Sequence, residues 1–210
     1  MTDTPTRPRI AVLVGSLRAD SINLKIARSI IALGGHRADI EIVPIADLAL
    51  YSEELDASPP AEYARFRSQI TAADGVIFCT PEYNRGVPGG LKNAIDVGSR
   101  PSGHNVWSGK PTVIVSASPS PIGGFGANHQ LRQLCVFLDM PTMQQPEAYL
   151  GSVAAEKFDA DGVVTDDALK SFLGSIVEAY MAWLARALRA RRPQSSVTVS
   201  ASPIGWHDQW

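Results

Sequence analysis

Residues 9–27 contain a short apolar run, then one glycine and then the start of a helical pattern. This order limits the fold classes that the chain can adopt. Residues 10–14 are continuous, apolar and rich in β-branched side chains, which is typical of a strand covered on both faces in a parallel sheet. Gly15 ends the run. Ser21 is a favourable N-cap, and Ile22, Ile26 and Ile30 follow it at helical spacing. The segment therefore predicts the strand–turn–helix unit of an α/β protein.

The same alternation continues along the 210 residues. Further strands are predicted at 39–45, 75–80 and 111–117, and a fifth at either 142–144 or 148–150. Helices are predicted at 59–73, 87–98, 128–139 and 166–191. Apolar runs that alternate with amphipathic helices predict a doubly wound parallel α/β sheet. We expect a single domain over residues 1–191 and a C-terminal tail over residues 192–210, which lacks a helical period.

Charge and composition exclude several classes of partner. The formal net charge is −2 and no dense basic patch is present, which argues against nucleic acid or an anionic membrane surface as a partner. Residues 1–8 are polar and no apolar run reaches transmembrane length, so we expect a cytoplasmic protein without a signal peptide. Cys79 and Cys135 are expected to be buried structural thiols. The histidines show no metal spacing, and no metal site or catalytic acid–base set is predicted.

Polar side chains follow the first strand and surround the predicted start of the first helix. Free N–H groups and the helix dipole favour an anion at such a point. The loop lacks both the three-glycine dinucleotide fingerprint and the Gly-Lys-Ser/Thr of nucleotide triphosphate loops. Its hydroxyl, guanidinium and amide groups suit a terminal monophosphate instead. Alternatively, Ser21 only caps the helix and Arg18 is only a surface charge.

A second loop, residues 80–96, follows the third predicted strand. In open α/β sheets, ligands bind outside the carboxyl ends of the strands at the switch point, which lies between strands 1 and 3 for the order 2-1-3-4-5. Tyr83 can offer a flat ring, and Asn84 can offer hydrogen-bond donors and acceptors. The pair of loops suits a planar heteroaromatic ligand with a polar edge. The alternative is that this Pro/Gly-rich segment is an ordinary turn.

A third loop, residues 116–127, follows the fourth predicted strand and is rich in serine and glycine. Small residues allow a ligand to approach the backbone closely, and free N–H groups there could bind a nucleotide cofactor. A flexible connection is the alternative explanation.

Motifs in these three loops resemble the NADPH-dependent FMN reductase family, which includes bacterial chromate, quinone and azo dye reductases. The likeness covers about residues 9–150 and rests on Gly15-Ser16-Leu17-Arg18 with Ser21 and Asn23, on Pro81-Glu82-Tyr83-Asn84 through Asp96, and on Ser118 through Gly123-Gly124. It implies a flavodoxin-like five-stranded sheet of order 2-1-3-4-5. It also implies three groups of FMN-binding residues: Ser16, Arg18, Ser21, Ile22 and Asn23 at the phosphate; Pro81, Glu82, Tyr83 and Asn84 along the ring; and Ser116, Ser118, Gly123 and Gly124 completing the pocket.

The resemblance implies an oxidoreductase that passes hydride from NADPH or NADH through bound FMN to a quinone-like or other small acceptor. Turnover would be ping-pong, without an obligatory protein acid or base. A homodimer or homotetramer is expected. The alternatives are an FMN-binding electron carrier without nicotinamide activity and a non-catalytic module that keeps the fold alone. Carriers are usually strongly acidic, so the near-neutral charge favours the enzyme.

Overall fold

A computed structural model describes residues 7–191, and the predicted tail at 192–210 lies outside the described part of the chain. The described part of the chain is built around a parallel sheet of five strands in the order β2-β1-β3-β4-β5, which confirms the predicted topology. The strands are β1 (Arg9–Val14), β2 (Asp39–Ile42), β3 (Gly75–Thr80), β4 (Thr112–Ala117) and β5 (Ala148–Leu150).

Five α-helices within the described residues cover the two faces of the sheet. Helices α1 (Ile22–Gly34) and α5 (Asp167–Arg191) share one apolar cluster with the sheet. Helices α2 (Ala61–Ala72), α3 (Gly89–Ser99) and α4 (Phe125–Phe137) share the other. Each face of β1 contributes to one cluster because successive side chains of a strand point in opposite directions. This covering of both faces explains why β3 and β4 are buried along their whole length, whereas the edge strand β2 alternates charged and apolar residues.

Prolines account for three differences from the predicted bounds. β2 ends at Ile42 instead of residue 45: the Val43 N–H still donates to Val12 at 2.9 Å, but Pro44 has no N–H to continue the ladder. Helices α2 and α3 begin at Ala61 and Gly89 instead of residues 59 and 87, because the N-cap position of each helix is a proline with extended backbone, Pro60 or Pro88.

Left-handed residues shift the bounds of α4. The helix begins at Phe125 instead of residue 128, directly after Gly123 and Gly124 with φ of 65° and 75°. It ends at Phe137 instead of residue 139, and Asp139 has φ of 56°. Of the two segments predicted for the fifth strand, residues 148–150 form β5. Residue 142 only forms an isolated bridge with residue 112.

Two buried aromatic residues fix the helices against the sheet. The Tyr180 hydroxyl of α5 lies 3.1 Å and 3.0 Å from the carbonyl oxygens of Val76 and Pro111. The Trp107 indole N–H donates to the Ile95 carbonyl of α3 at 2.9 Å. Such bonds satisfy the polar atom of a large ring inside an apolar core. They join α5 to the amino ends of β3 and β4, and α3 to the segment that precedes β4.

Both cysteines are buried and unpaired, as predicted. Burial raises the pKa of Cys79 to about 12 and that of Cys135 to about 11. Both side chains therefore stay protonated near neutral pH and are poor nucleophiles. Within residues 7–191, no helix has the length and apolar character needed to cross a membrane.

Candidate functional site

The loops that follow β1 and β3 lie side by side at the carboxyl edge of the sheet. The Gly15 N–H donates to the Cys79 carbonyl at 2.8 Å, and Ser16 Oγ lies 3.4 Å from Tyr83 Oη. A Cβ on Gly15 would lie 2.5 Å from Thr80 Oγ1. Glycine is therefore required at this position for the two strand ends to approach. The contact places the two loops that carry the predicted ligand residues next to each other, and we call the space between them and the loop after β4 the cleft.

The start of α1 has the features of an anion site. Ser21 is the N-cap, and its Oγ accepts the N–H groups of Asn23 and Leu24 at 3.2 Å and 3.4 Å. Asp20 in the same loop pairs with Lys25 at 2.6 Å, and this hydrogen bond and the ammonium charge lower the pKa of Asp20. The acidic side chain is thus compensated locally. The exposed Arg18 and the positive end of the helix dipole remain to attract a phosphate.

Asn23 contributes a buried polar atom without a partner. Its Nδ2 donates to the Ala117 carbonyl at the end of β4, at 3.1 Å. Its Oδ1 is buried and has no hydrogen-bond partner among the described residues. A buried acceptor left unpaired costs about 1–3 kcal/mol. A hydroxyl donor on a bound ligand would remove this cost, and the chain of hydroxyl groups that precedes the phosphate of FMN offers such donors.

The loop after β3 is a tight hairpin. Tyr83 and Gly86 exchange two backbone N–H···O bonds of 3.0 Å each, and the two residues between them, Asn84 and Arg85, have φ of 51° and 66°. Positive φ at both central positions is the geometry of a type I′ turn. The Tyr83 side chain is 46% exposed, so its ring is available to a ligand.

Glu82 in the same loop has its carboxylate turned towards α4. One oxygen accepts the Ala127 N–H at 3.0 Å and the other pairs with Arg85 at 3.1 Å. The side chain is only 11% exposed. Contact between Glu82 and a ligand along the ring would therefore have to come from its backbone.

The third loop packs closely against β5. The Ser116 hydroxyl is fully buried, donates to the Ala148 carbonyl at 3.2 Å and accepts from Asn128 Nδ2 at 3.2 Å. A Cβ on Gly123 would lie 2.7 Å from the Tyr149 carbonyl carbon, so this glycine allows the close contact between loop and strand. The Ser116 side chain supports the loop from within the protein. Ser118 is half-buried, and its Oγ accepts the Ser120 N–H at 3.0 Å.

Exposed apolar side chains surround the cleft. Leu17 lies in the first loop, Tyr83 in the second, and Ile122 and Phe125 in or directly after the third. Grouped apolar side chains at a protein surface mark ligand or partner sites. A separate cavity of about 590 Å³ lies at the opposite edge of the sheet, lined by Arg9, Asp39 and Gln69 among others. Ligands of open α/β sheets bind at the carboxyl edge, so the candidate site is the cleft between the three loops.

Sequence reasoning missed two residues that connect these loops. Gln130 of α4 accepts the Val87 N–H through Oε1 at 2.7 Å. Gly126 lies in the first turn of α4, where a Cβ would come within 2.7 Å of Glu82 Oε2. A glycine inside a helical segment is unfavourable and therefore signals a close approach, so its position could have been noticed. No local pattern identifies Gln130.

Comparisons with known proteins identify the family to which the chain is similar. The sequence pattern of the family described as NADPH-dependent FMN reductase matches residues 8–155. A quinone reductase from Pseudomonas putida is 54% identical over 176 residues, which cover 83% of this chain and 94% of the relative. A 2-hydroxy-1,4-benzoquinone reductase from Burkholderia sp. is 40% identical over 176 residues, with 84% and 96% covered.

A solved structure extends the similarity to three dimensions. The flavoenzyme FerB from Paracoccus denitrificans, an NAD(P)H:(acceptor) oxidoreductase, superimposes with a TM-score of 0.82 at 38% sequence identity. The match covers 86% of this chain and 98% of FerB. Sequence and structure therefore agree that the chain belongs to the NADPH-dependent FMN reductase family.

Proposed function

We propose that this protein binds FMN in the cleft between the three loops and transfers hydride from NAD(P)H to a quinone-like small acceptor. The observation that carries the proposal is the contact between the loop that leads into α1 and the Tyr83 hairpin, together with the unpaired Asn23 Oδ1 in the first turn of α1. An anion site and an exposed ring wall lie in one cleft, as a flavin mononucleotide requires. A quinone-like acceptor is supported by the relatives, which are named as a quinone reductase and a 2-hydroxy-1,4-benzoquinone reductase.

Each of the three loops has a separate task in this proposal. Ser16, Arg18, Ser21, Ile22 and Asn23 hold the phosphate and the polar chain next to it. Pro81, Glu82, Tyr83 and Asn84 line the ring. The loop after β4, with Ser118, Gly123 and Gly124, closes the pocket, and Ser116 near the end of β4 supports this loop through its buried hydroxyl.

Bound FMN supplies the two-electron chemistry, so the protein contributes binding, orientation and electrostatics. Because nicotinamide and acceptor would use the same cleft, we propose that they occupy it in turn, giving ping-pong kinetics.

An FMN-binding electron carrier is the second candidate function. It would use the same phosphate site but would not accept hydride from a nicotinamide. Its support is the flavodoxin-like strand order, which carriers and reductases share. The formal net charge of −2 is small for a protein that docks on basic partners.

Anaerobic stopped-flow spectroscopy of FMN-loaded protein separates these functions. We expect the flavin absorbance to bleach with NADPH, NADH or both, and to return when a benzoquinone is added. Initial rates measured against nicotinamide nucleotide concentration, at several fixed quinone concentrations, should give parallel double-reciprocal lines. Bound flavin that neither nucleotide bleaches would favour the carrier, intersecting lines would contradict ping-pong turnover, and failure to bind FMN would overturn the proposal.

We further propose that the protein assembles as a homodimer or homotetramer in the cytoplasm. The outward face of α4 supports self-association because its exposed side chains carry no carboxylate, lysine or arginine: Phe125, His129, Gln130, Gln133, Val136 and Phe137. Val136 is 82% exposed and Phe137 78%. In a two-fold interface the same surface patch of both subunits is in contact, so a face without exposed charged side chains avoids burying like charges against each other. The two unpaired cysteines fit a reducing compartment.

A further inference from the structure

The loop formed by residues 81–88 is attached to α4 by two bonds between side chain and backbone. The Glu82 carboxylate accepts the Ala127 N–H at 3.0 Å, and Gln130 Oε1 accepts the Val87 N–H at 2.7 Å. One bond is made by a loop side chain and the other by a helix side chain. Together they tie both ends of the Tyr83 hairpin to one rigid element.

Glu82 supplies the cap that α4 lacks in its own sequence. The N-cap residue is Gly124, which has no side chain to accept a bond, and the first turn of α4 contains no acidic residue. Ala127 is the third residue of the helix, and its N–H is one that an N-cap side chain normally accepts. The Glu82 carboxylate, which belongs to the loop after β3, accepts this N–H instead. It also places a negative charge at the positive end of the helix dipole.

Gly126 provides the space for this contact. A Cβ at Gly126 would lie 2.7 Å from Glu82 Oε2 and 2.9 Å from the Arg85 carbonyl oxygen. Both distances are too short for a real methyl group, and both atoms belong to the same hairpin loop. The glycine therefore allows the loop to touch the first turn of α4.

We propose that Glu82 is a positioning residue that fixes the Tyr83 hairpin to the first turn of α4 and thereby preorders the wall of the flavin site. The inference rests on the proposed FMN binding. A wall that is already ordered loses little conformational entropy when the ligand binds, whereas a detached hairpin must be ordered at that moment. Removing the carboxylate therefore weakens FMN binding without removing any group from the ligand-facing surface.

Three variants isolate the contact. Glu82→Ala removes it, Glu82→Gln keeps an acceptor oxygen at nearly the same place, and Gly126→Ala displaces the carboxylate while leaving it in the chain. We expect Glu82→Ala and Gly126→Ala to raise the FMN dissociation constant about tenfold, the size expected for loss of one charge-assisted hydrogen bond. Glu82→Gln should restore affinity to within about threefold of the wild type.

Amide hydrogen exchange in the flavin-free protein gives a readout that does not depend on FMN. In Glu82→Ala and Gly126→Ala, exchange at Ala127 should accelerate about tenfold or more, and exchange at Leu131, deeper in α4, should stay near the wild-type rate. A general loss of stability would accelerate both sites. In the loaded enzyme, the KM for the acceptor should rise more than kcat falls, because the wall and not the reacting ring is altered.

Gly174→Ala and Arg85→Ala serve as controls. Gly174 lies within α5, and a Cβ added there would meet no neighbouring group within 4 Å, so this variant repeats the Gly→Ala change without a new contact. Arg85 is mostly exposed, so loss of its ion pair with Glu82 should change FMN affinity by less than about twofold.

The outcomes separate the two proposals. Wild-type FMN affinity together with unchanged Ala127 exchange in Glu82→Ala would overturn the positioning role. Accelerated Ala127 exchange with unchanged FMN affinity would also overturn it, because the contact would then serve the helix alone. A wild-type protein that does not bind FMN refutes the proposed function and, with it, the flavin role of Glu82. If Glu82→Ala fails to fold, Gly126→Ala and Glu82→Gln carry the same comparison.

Discussion

Single polar residues in the cleft have partners on distant parts of the chain. Asn23 lies at the start of α1, yet its amide bonds to Ala117 at the end of β4. Ser16 approaches Tyr83 in the same way across the cleft. Each such contact joins two segments that are far apart in the sequence. The loops are thus positioned by side chains as well as by the strands.

We predict that Asn23→Asp weakens FMN binding strongly. The substitution keeps the size of the side chain, but it removes the N–H that donates to Ala117 and adds a negative charge near the phosphate. The FMN dissociation constant should rise at least about tenfold in a fluorescence-quenching titration.

Asn105→Asp is the matched control for this variant. Asn105 also donates to a backbone carbonyl, that of Leu138, but this bond lies outside the cleft. The Asn105→Asp variant should have a lower free energy of unfolding than the wild type but the same FMN dissociation constant. Equal affinity of Asn23→Asp and the wild type would show that Asn23 does not contribute to the site.

At the scale of whole elements, the helices are positioned by close contacts at glycines. Helix α3 packs on the fully buried Trp107, and a Cβ on Gly98 would lie 2.5 Å from the indole. Because cores are densely packed, neither the ring nor the helix has free volume to move into.

We therefore predict that Gly98→Ala destabilises the protein. The clash with Trp107 should lower the free energy of unfolding by about 1–3 kcal/mol in a urea titration. Gly174→Ala should instead be neutral or stabilising by up to about 1 kcal/mol, because it improves helix propensity in open space. Similar changes in the two variants would contradict the packing argument.

Asp166 makes the stability of α5 depend on pH. Its side chain accepts the Leu169 N–H at 2.9 Å and pairs with Lys157 at 2.9 Å, and these contacts lower its pKa from the ordinary value of 3.8. The lowered pKa means that the stabilisation is fully present above pH 3.8 and is lost as the pH falls through the lower value of the folded state.

Asp166→Asn should therefore unfold at lower urea concentration than the wild type at pH 7. The difference should shrink steadily as the pH is lowered below the ordinary carboxylate value. Lys157→Met should reproduce part of the loss at pH 7. A difference that stayed constant between pH 7 and pH 3 would contradict the ion-pair explanation.

The element order could be predicted because apolar strands and amphipathic helices have distinct local periods. Helix starts were harder: Pro60 and Pro88 lie at N-cap positions, where the local pattern favours including them in the helix. For the candidate site, the sequence predicts that the loops after β1 and β3 lie next to each other, and the structure shows this contact. The direction of the Glu82 carboxylate was not, because its partner Ala127 is 45 positions away in the chain.

At the scale of the whole molecule, the side of the sheet formed by the amino ends of the strands differs from the side formed by their carboxyl ends. At the amino ends, Tyr180 of α5 joins β3 to the segment before β4 through buried hydrogen bonds. At the carboxyl edge, exposed apolar residues and loops predominate. The exposed face of α4 continues from this edge down the side of the molecule.

We predict that Phe137→Glu disrupts self-association. In the proposed two-fold interface the new carboxylate would be desolvated against the same uncharged face of the second subunit, which offers it no basic partner among its exposed side chains. Light scattering after size exclusion should show a shift from the oligomer towards the monomer mass.

Phe172→Glu, on α5, is the matched control because Phe172 is also an exposed phenylalanine. It should leave the mass unchanged. An oligomer that survives Phe137→Glu would place the interface elsewhere, and a monomeric wild type would refute self-association.

The hairpin beside the cleft offers a point for altering substrate range. Tyr83 and Gly86 are held together by their own pair of backbone bonds, and the two residues between them form an exposed tip. Chain length added at such a tip is tolerated better than inside an element. A segment inserted between positions 84 and 85, with Asn84 itself retained, would extend this tip beside the cleft. Under the proposed function it would change which electron acceptors fit, while the residues proposed to hold the phosphate stay unchanged.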